Sequence, residues 1–90
     1  MPEDLVSRSM ILSRIHVIAS GILKASTLIL TEATMASDVP GWDSLTHVQI
    51  VVGVESEFGI RMTSTEVARL ENVGSLIDLV EAHQAKVDRA

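Results

Sequence analysis

One serine in this chain has a setting that could support covalent chemistry. Ser44 follows the turn residues Pro40 and Gly41, and the apolar residues after it recur at helical spacing. Asp43 and Ser44 are both residue types that cap helices, so a helix is predicted to begin there with the Ser44 hydroxyl beside solvent. Free backbone N–H groups and the helix dipole favour an anion at such a terminus. Ser44 could therefore carry a phosphate group at little energetic cost.

Other chemistry is disfavoured by the remaining residues. Asp43, Ser44 and His47 could approach each other on a helix, which suggests a hydrolytic triad. A triad also needs an oxyanion hole and a substrate cleft, and a chain of 90 residues has no evident room for either. His16, His47 and His83 show no known metal-ligand spacing, and there is no cysteine to serve as a thiolate ligand or nucleophile. We therefore expect no catalytic residue, no metal site and no enzymatic activity.

The composition favours a small helical protein that does not bind nucleic acid. Apolar residues make up 47% of the chain, but Trp42 and Phe58 are its only aromatic residues, so the core must be aliphatic. An aliphatic core favours packed helices over a β-sandwich. The net charge of −5 disfavours nucleic acid and suits partners with basic surface patches.

The apolar segment from residue 10 to residue 30 raises the question of a membrane span. Arg14, His16 and Lys24 interrupt it, so no run of 18 uncharged apolar residues exists. Glu3 and Asp4 place the wrong charge ahead of it for a signal peptide. We expect a cytoplasmic protein without a membrane span.

The periodicity predicts an all-α fold, a small four-helix bundle with three longer helices and a short third helix. Gly59 is a stop signal for the second helix, and Thr63 with Glu66 fits a capping box that starts the third. We expect one domain over residues 1–90, a long ordered loop over 25–41 between the first two helices, and a tail that frays over 85–90. The predicted helices are Leu5–Lys24, Ser44–Phe58, a short segment from residue 64 to Leu70 or Glu71, and a last helix from Val73 or Ser75 to Val87.

Helical spacing also assigns the faces of the first two helices. The first helix should bury one face, formed by Leu12, Ile15, Ile18, Ala19 and Ile22. Met10, Ile11 and Val17 widen this face, which fits a broad core face but also fits a contact with another protein. The second helix should bury His47, Ile50, Val51, Val54 and Phe58. Its outward residues are then Leu45, Thr46, Gln49, Val52, Glu55 and Ser56. Two of them, Leu45 and Val52, are apolar, which fits a docking strip for a partner but also fits isolated surface residues without a role.

Several motifs together resemble the acyl carrier protein family over nearly the whole chain. They are Asp43-Ser44-Leu45, Glu55, Glu57, Phe58-Gly59-Ile60 and Val73-Gly74-Ser75-Leu76. In that family the serine of the Asp-Ser-Leu motif receives a 4′-phosphopantetheine arm from coenzyme A, and acyl groups ride on the thiol of the arm as thioesters. The resemblance thus implies that Ser44 is the attachment site, and that Asp43 helps to orient the modifying enzyme.

The resemblance also implies partners. They would be a phosphopantetheinyl transferase, and the acyl-loading and acyl-transfer or condensing enzymes that act on the cargo, meeting a monomeric carrier at Leu45, Gln49, Val52 and Glu55. Trp42, next to the motif, would either contact the arm or pack the loop against the core.

The sequence departs from carriers of bacterial fatty-acid synthesis, which have a dense acidic run on the second helix. Thr46, Gln49 and Ser56 are uncharged here. We therefore expect weaker docking to strongly basic partners and, by analogy, a specialised lipid, polyketide or related biosynthetic pathway. Two alternatives are an aminoacyl or peptidyl carrier, and an unmodified helical protein-interaction module.

Overall fold

The protein is a bundle of four α-helices. The computed structural model describes residues 3–89, with side chains described from residue 8 to residue 84. A single turn of 3-10 helix, Ala36–Asp38, lies in the long loop after the first helix, and residues 3–89 contain no strand. The predicted all-α architecture is confirmed. The helices are α1 (Glu3–Leu23), α2 (Ser44–Phe58), α3 (Ser64–Ala68) and α4 (Val73–Arg89).

The ends of α2 and α3 follow local sequence signals. Gly59 adopts the left-handed conformation, with φ 64°, and closes α2 as expected for a glycine after the last helical residue. At the start of α3, the Thr63 hydroxyl accepts the Glu66 N–H at 3.1 Å, and the Glu66 carboxylate accepts the Thr63 N–H at 2.9 Å. This is the predicted capping box. Gly59 stops α2 and this capping box starts α3, so the connection between the two helices is only five residues long, 59–63.

Three helix ends differ from the prediction, and one of them is that of α3, which ends at Ala68 rather than at Leu70 or Glu71. Helix α1 ends at Leu23 because Lys24 takes up the left-handed conformation, with φ 54°, at a cost of about 1 kcal/mol for a residue other than glycine. Helix α4 continues to Arg89, so the backbone of the expected frayed tail is helical. The side chains of residues 85–90 lie outside the described part of the chain.

The helices pack around one aliphatic core. On α2, Ile50, Val51 and Val54 are buried as predicted, whereas His47 and Phe58 are only half-buried at the edge of the core. On α1, Met10 and Val17 are 57% and 67% exposed, so the expected broad core face is wrong for these two residues. The buried cluster consists of Ile11, Ile15, Ala19, Leu30, Val39, Ile50, Val54, Ile60, Val73, Leu76, Ile77 and Val80.

The long loop is fixed by the N-terminus of α4. The first N–H groups of a helix have no partner within the helix. Here the Val73 N–H donates to the Thr34 carbonyl at 2.9 Å, and the Gly74 N–H donates to the Glu32 carbonyl at 2.7 Å. A Cβ at Gly74 would lie 3.0 Å from that Glu32 oxygen, so the close approach favours glycine. The loop that leads to Ser44 is therefore held by backbone hydrogen bonds.

Two side chains of α1 also hold this loop. His16 donates from Nε2 to the Leu28 carbonyl at 2.6 Å. Arg8 forms an ion pair with Glu32 and with Asp78 and Glu81 of α4. The hydrogen bonds from Arg8 lower the pKa of Glu32, and the same contacts raise the pKa of the Arg8 guanidinium. These contacts connect α1, the loop and α4 at the surface.

Candidate functional site

The Asp43 side chain caps the N-terminus of α2. Its Oδ1 atom accepts the N–H groups of Leu45 and Thr46, each at 3.0 Å, and the Asp43 N–H donates to the Thr46 hydroxyl at 2.8 Å. The hydrogen bonds that the Asp43 carboxylate accepts, of which that from the Thr46 N–H contributes most, lower the pKa of Asp43. The carboxylate therefore stays charged at neutral pH, where it also interacts favourably with the helix dipole.

Ser44 is the first helical residue rather than the cap. Its side chain is exposed, and neither its hydroxyl nor its N–H makes a hydrogen bond with any described residue. The sequence alone does not distinguish Asp43 from Ser44 as the capping residue, and the structure assigns the capping role to Asp43 alone. It also corrects the expectation of several free N–H groups beside Ser44, because Asp43 occupies those of Leu45 and Thr46. The Ser44 hydroxyl is thus accessible and is not needed for the structure of the helix.

The turn before α2 is joined to the helix by Thr46. The Trp42 N–H donates to the Val39 carbonyl at 3.1 Å, with Pro40 and Gly41 between them and Gly41 at φ 86°, as in a type II turn. The Thr46 hydroxyl donates to the Gly41 carbonyl at 2.8 Å. The sequence prediction placed Thr46 among the outward residues and missed this contact. The three-residue spacing from Asp43 to Thr46 is that of a capping box and could have indicated a structural role for this side chain.

Trp42 and His47 form a hydrogen-bonded pair beside Ser44. The indole Nε1–H donates to His47 Nδ1 at 3.0 Å, with the ring centroids 6.3 Å apart. His47 Nδ1 must therefore be unprotonated, and it is directed at Trp42 rather than at the Ser44 hydroxyl. No hydrogen bond joins Ser44 to His47 among the described residues. Both aromatic side chains are half-buried, in agreement with a packing role for Trp42.

An open groove of about 600 Å³ lies next to Ser44. It runs between the first turns of α2 and the short helix α3. The side chains that line it are mainly apolar. They include Trp42, His47, Val48, Val67 and Leu70. A flexible group attached to Ser44 could therefore place an apolar end in this groove without unfolding any helix.

The outer face of α2 is an exposed and nearly uncharged strip. Leu45 and Val52 are 67% and 55% exposed, and Gln49 between them is exposed, as predicted. Val48, 55% exposed, belongs to the same strip at i, i+3, i+4, i+7 spacing and was missed because its apolar side chain fits either face. Glu55 differs from the prediction, because it is half-buried and its carboxylate accepts the Met62 N–H at 2.7 Å.

Comparison with known proteins gives a family for this fold and site. The family model described as phosphopantetheine attachment site matches residues 13–80. An acyl carrier protein of Thermotoga maritima is 31% identical over 77 residues, which cover 86% of this chain and 95% of that protein. One from Rickettsia bellii is 30% identical over 71 residues, with 79% and 81% covered. This chain belongs to the acyl carrier protein family.

Solved carrier structures agree with the helical architecture. The solution structure of a holo acyl carrier protein from Geobacter metallireducens has a TM-score of 0.80 at 32% identity, covering 87% of this carrier and 90% of that chain. A crystal structure of an acyl carrier protein from Thermotoga maritima has a TM-score of 0.82 at 24% identity, covering 91% and 95%. The latter supports the fold alone.

Membership of the family defines the prosthetic group and the general class of partner. The prosthetic group of this carrier is a covalently attached phosphopantetheine. Carrier domains of this kind interact with the enzymes that modify them and with biosynthetic enzymes, and they are generally not catalysts themselves. Within residues 3–89, no helix has the length and the apolar character needed to cross a membrane.

The three histidines of the carrier each contact a different part of the fold. His16 binds the Leu28 carbonyl, His47 binds Trp42, and His83 Nε2 lies 3.1 Å from the Glu66 carboxylate. In the described part of the chain, no three His, Asp or Glu residues are grouped as a metal site would require. Each histidine therefore binds a different segment of the fold: the long loop, the turn before α2, and α3.

Proposed function

We propose that Ser44 carries the phosphopantetheine arm and that the protein is a non-enzymatic acyl carrier. The observation that carries this proposal is the position of the Ser44 hydroxyl, which is exposed at the first residue of α2 and makes no hydrogen bond with a described residue. Attachment there would break no contact of the fold. The thiol of the arm supplies the chemistry, since it holds an acyl group as an activated thioester.

The residues around Ser44 suit an arm that must move between enzymes. Asp43 already occupies the N–H groups of Leu45 and Thr46, so a phosphate on Ser44 would feel the helix dipole but would not be captured by those donors. The carboxylate of Asp43 adds a like charge nearby. A phosphate attached at Ser44 would therefore remain hydrated and mobile. Anchoring the helix start is the role that we assign to Asp43 within the carrier.

Loading by a transferase tests this proposal. The protein is incubated with coenzyme A, magnesium and a broad-specificity phosphopantetheinyl transferase, and its intact mass is measured. We expect the native chain to gain one phosphopantetheine and Ser44→Ala to gain none. A folded native chain that gains nothing would contradict the proposal and favour an unmodified interaction module.

Ser64 offers a matched control. Like Ser44, it is an exposed serine at the first position of a helix, directly after a residue whose side chain caps that helix. Ser64→Ala should gain the same mass as the native chain. If Ser64→Ala abolished loading while Ser44→Ala did not, the helix start alone would have been an insufficient guide to the site.

We further propose that partner enzymes bind the exposed strip of α2, which consists of Leu45, Val48, Gln49 and Val52. This strip is apolar and uncharged, and Glu55 at its end is half-buried with its carboxylate bound to the Met62 N–H. Partners should therefore bind mainly by apolar contact rather than through a dense basic patch. Such a surface suits a specialised pathway more than general fatty-acid synthesis. We further propose a cytoplasmic location, where coenzyme A, the source of the arm, is available.

The transferase provides a defined partner with which to test the strip. Truncating an anchor residue of an interface costs about 1 kcal/mol or more, which corresponds to roughly a fivefold loss of affinity. Leu45→Ala should therefore raise the KM for the carrier by at least about that factor. Val17→Ala is the matched control, because Val17 has the same exposure, 67%, but lies on α1. Equal effects of the two substitutions would argue against the strip.

A further inference from the structure

Trp42 lines two neighbouring spaces, one beside Ser44 and one that reaches the core. On the outside is the open groove beside Ser44, with a volume of about 600 Å³. Toward the core is a small, partly open cavity of about 30 Å³ that reaches the buried residues Val73 and Leu76. Trp42, His47 and Leu70 line both spaces. The indole therefore borders both the surface groove near Ser44 and the cavity that leads toward the core.

The position of the Trp42 side chain is fixed at two points. Its backbone is held in the turn from Val39, through the 3.1 Å hydrogen bond to the Val39 carbonyl. The far end of its indole is held by the 3.0 Å hydrogen bond from Nε1 to His47 Nδ1. Indole N–H is a donor only, so the unprotonated ring nitrogen of His47 is the matching partner. A side chain held at both ends can close an opening in a way that a freely rotating one cannot.

The inner cavity is small while Trp42 stays in this position. A volume of about 30 Å³ holds roughly two water-sized groups. Moving or removing the large indole would join the cavity to the groove and open a path to Val73 and Leu76. With the indole in place, this cavity is too small for the end of a long acyl chain, which would be left on the surface with much of its apolar area in contact with water.

We propose that Trp42, held by His47, is a specificity-determining residue that excludes long acyl chains from the interior of the bundle and adapts this carrier to short acyl groups. The inference rests on the proposed attachment of the arm at Ser44. It adds to that proposal the class of cargo, and it assigns the selection to this pair of residues. His47 acts here as a positioning residue for Trp42.

The test compares acyl groups of increasing length on the same protein. The transferase loads acetyl-, butyryl- or octanoyl-phosphopantetheine from the corresponding acyl coenzyme A, and mass spectrometry verifies each product. Amide chemical shifts are then recorded for Val73 and Leu76 in the cavity and for Val48 in the groove. In the native carrier, we expect the shifts of Val73 and Leu76 to be the same for all three cargoes, with length-dependent changes only at Val48.

Two variants test the two parts of the proposal. In Trp42→Ala, the octanoyl chain should enter and shift the amides of Val73 and Leu76. His47→Leu keeps the indole but removes its acceptor, and should give shifts of the same kind but smaller size. If Trp42→Ala does not fold, length-dependent shifts at Val73 and Leu76 in His47→Leu support the proposal, and native-like shifts in that variant contradict a barrier held in place by His47. Thermal melting of each unloaded protein establishes which variants are folded.

The outcomes separate this inference from the proposed function. If the native chain is not loaded at all, the proposed function fails and this inference fails with it. If the native chain is loaded and octanoyl shifts Val73 and Leu76 as strongly as in Trp42→Ala, Ser44 carries the arm but Trp42 is no barrier. If His47→Leu behaves as the native carrier while Trp42→Ala admits the chain, the barrier stands and the role of His47 is refuted.

Discussion

Replacing Gly53 by alanine should destabilise this protein, although the same change stabilises most helices. A Cβ at Gly53 would lie 2.8 Å from Cγ2 of Ile18 on α1, well inside the 3.5–4.0 Å at which carbon atoms attract. Ile18 is β-branched, so this methyl cannot move away without a costly change of rotamer. Alanine gains about 1 kcal/mol of helix propensity, whereas overpacking costs about 1–3 kcal/mol. We expect the free energy of unfolding to fall by about 1 kcal/mol.

A double-mutant cycle isolates the contact responsible. Ile18→Ala removes the methyl group, so in that background Gly53→Ala should raise the free energy of unfolding by about 1 kcal/mol, a coupling of about 2 kcal/mol between the two sites. Urea unfolding followed by circular dichroism measures all four proteins. Gly21→Ala is the control, because Gly21 is exposed on α1 and nothing lies within 4 Å of its added Cβ. If Gly53→Ala stabilised the native chain as much as Gly21→Ala does, the packing of α1 against α2 would be refuted.

Three further predictions concern the helix ends. Lys24→Gly should raise the free energy of unfolding by about 0.5–1 kcal/mol in urea unfolding, because glycine adopts the left-handed conformation without strain; a loss of stability would contradict the end assigned to α1. Gly74→Ala should speed hydrogen exchange of the amide at position 74, because the added Cβ would crowd the Glu32 carbonyl; an unchanged rate would contradict this contact. The pKa of Asp43 is lowered in the folded protein, so its stabilising contribution is present above the usual aspartate range and is lost as the pH falls through the lowered value. Melting temperatures should therefore fall more on acidification for the native chain than for Asp43→Asn, and parallel curves would contradict the cap.

The helix α2 could be predicted because three independent signals agree on it. A capping residue at its start, apolar residues at helical spacing and Gly59 at its end gave its bounds as Ser44–Phe58, which the structure confirms. The same signals could not distinguish Asp43 from Ser44 as the cap, because both residue types accept hydrogen bonds from N–H groups. Only the geometry of the turn places the Asp43 carboxylate over those donors and leaves Ser44 free.

Contacts between segments without periodicity could not be predicted. The bond between Trp42 and His47 depends on how the turn at Pro40 and Gly41 directs the indole, and no spacing rule encodes it. The hydrogen bonds between the loop and α4 use backbone groups, which every sequence has. Lys24 ends α1 without any of the usual stop residues. The sequence therefore predicts Ser44 as the attachment residue, whereas the contacts around Ser44 required the structure.

Locating the arm on the loaded protein is the most direct test of whether Ser44 is the attachment site. The holo form made by the transferase is fragmented in the mass spectrometer, and the fragments that carry the added phosphopantetheine are identified. We expect the added mass on fragments that contain Ser44 and not on fragments that contain only Ser64 or other serines. Added mass on any serine other than Ser44 would refute the proposed attachment at Ser44.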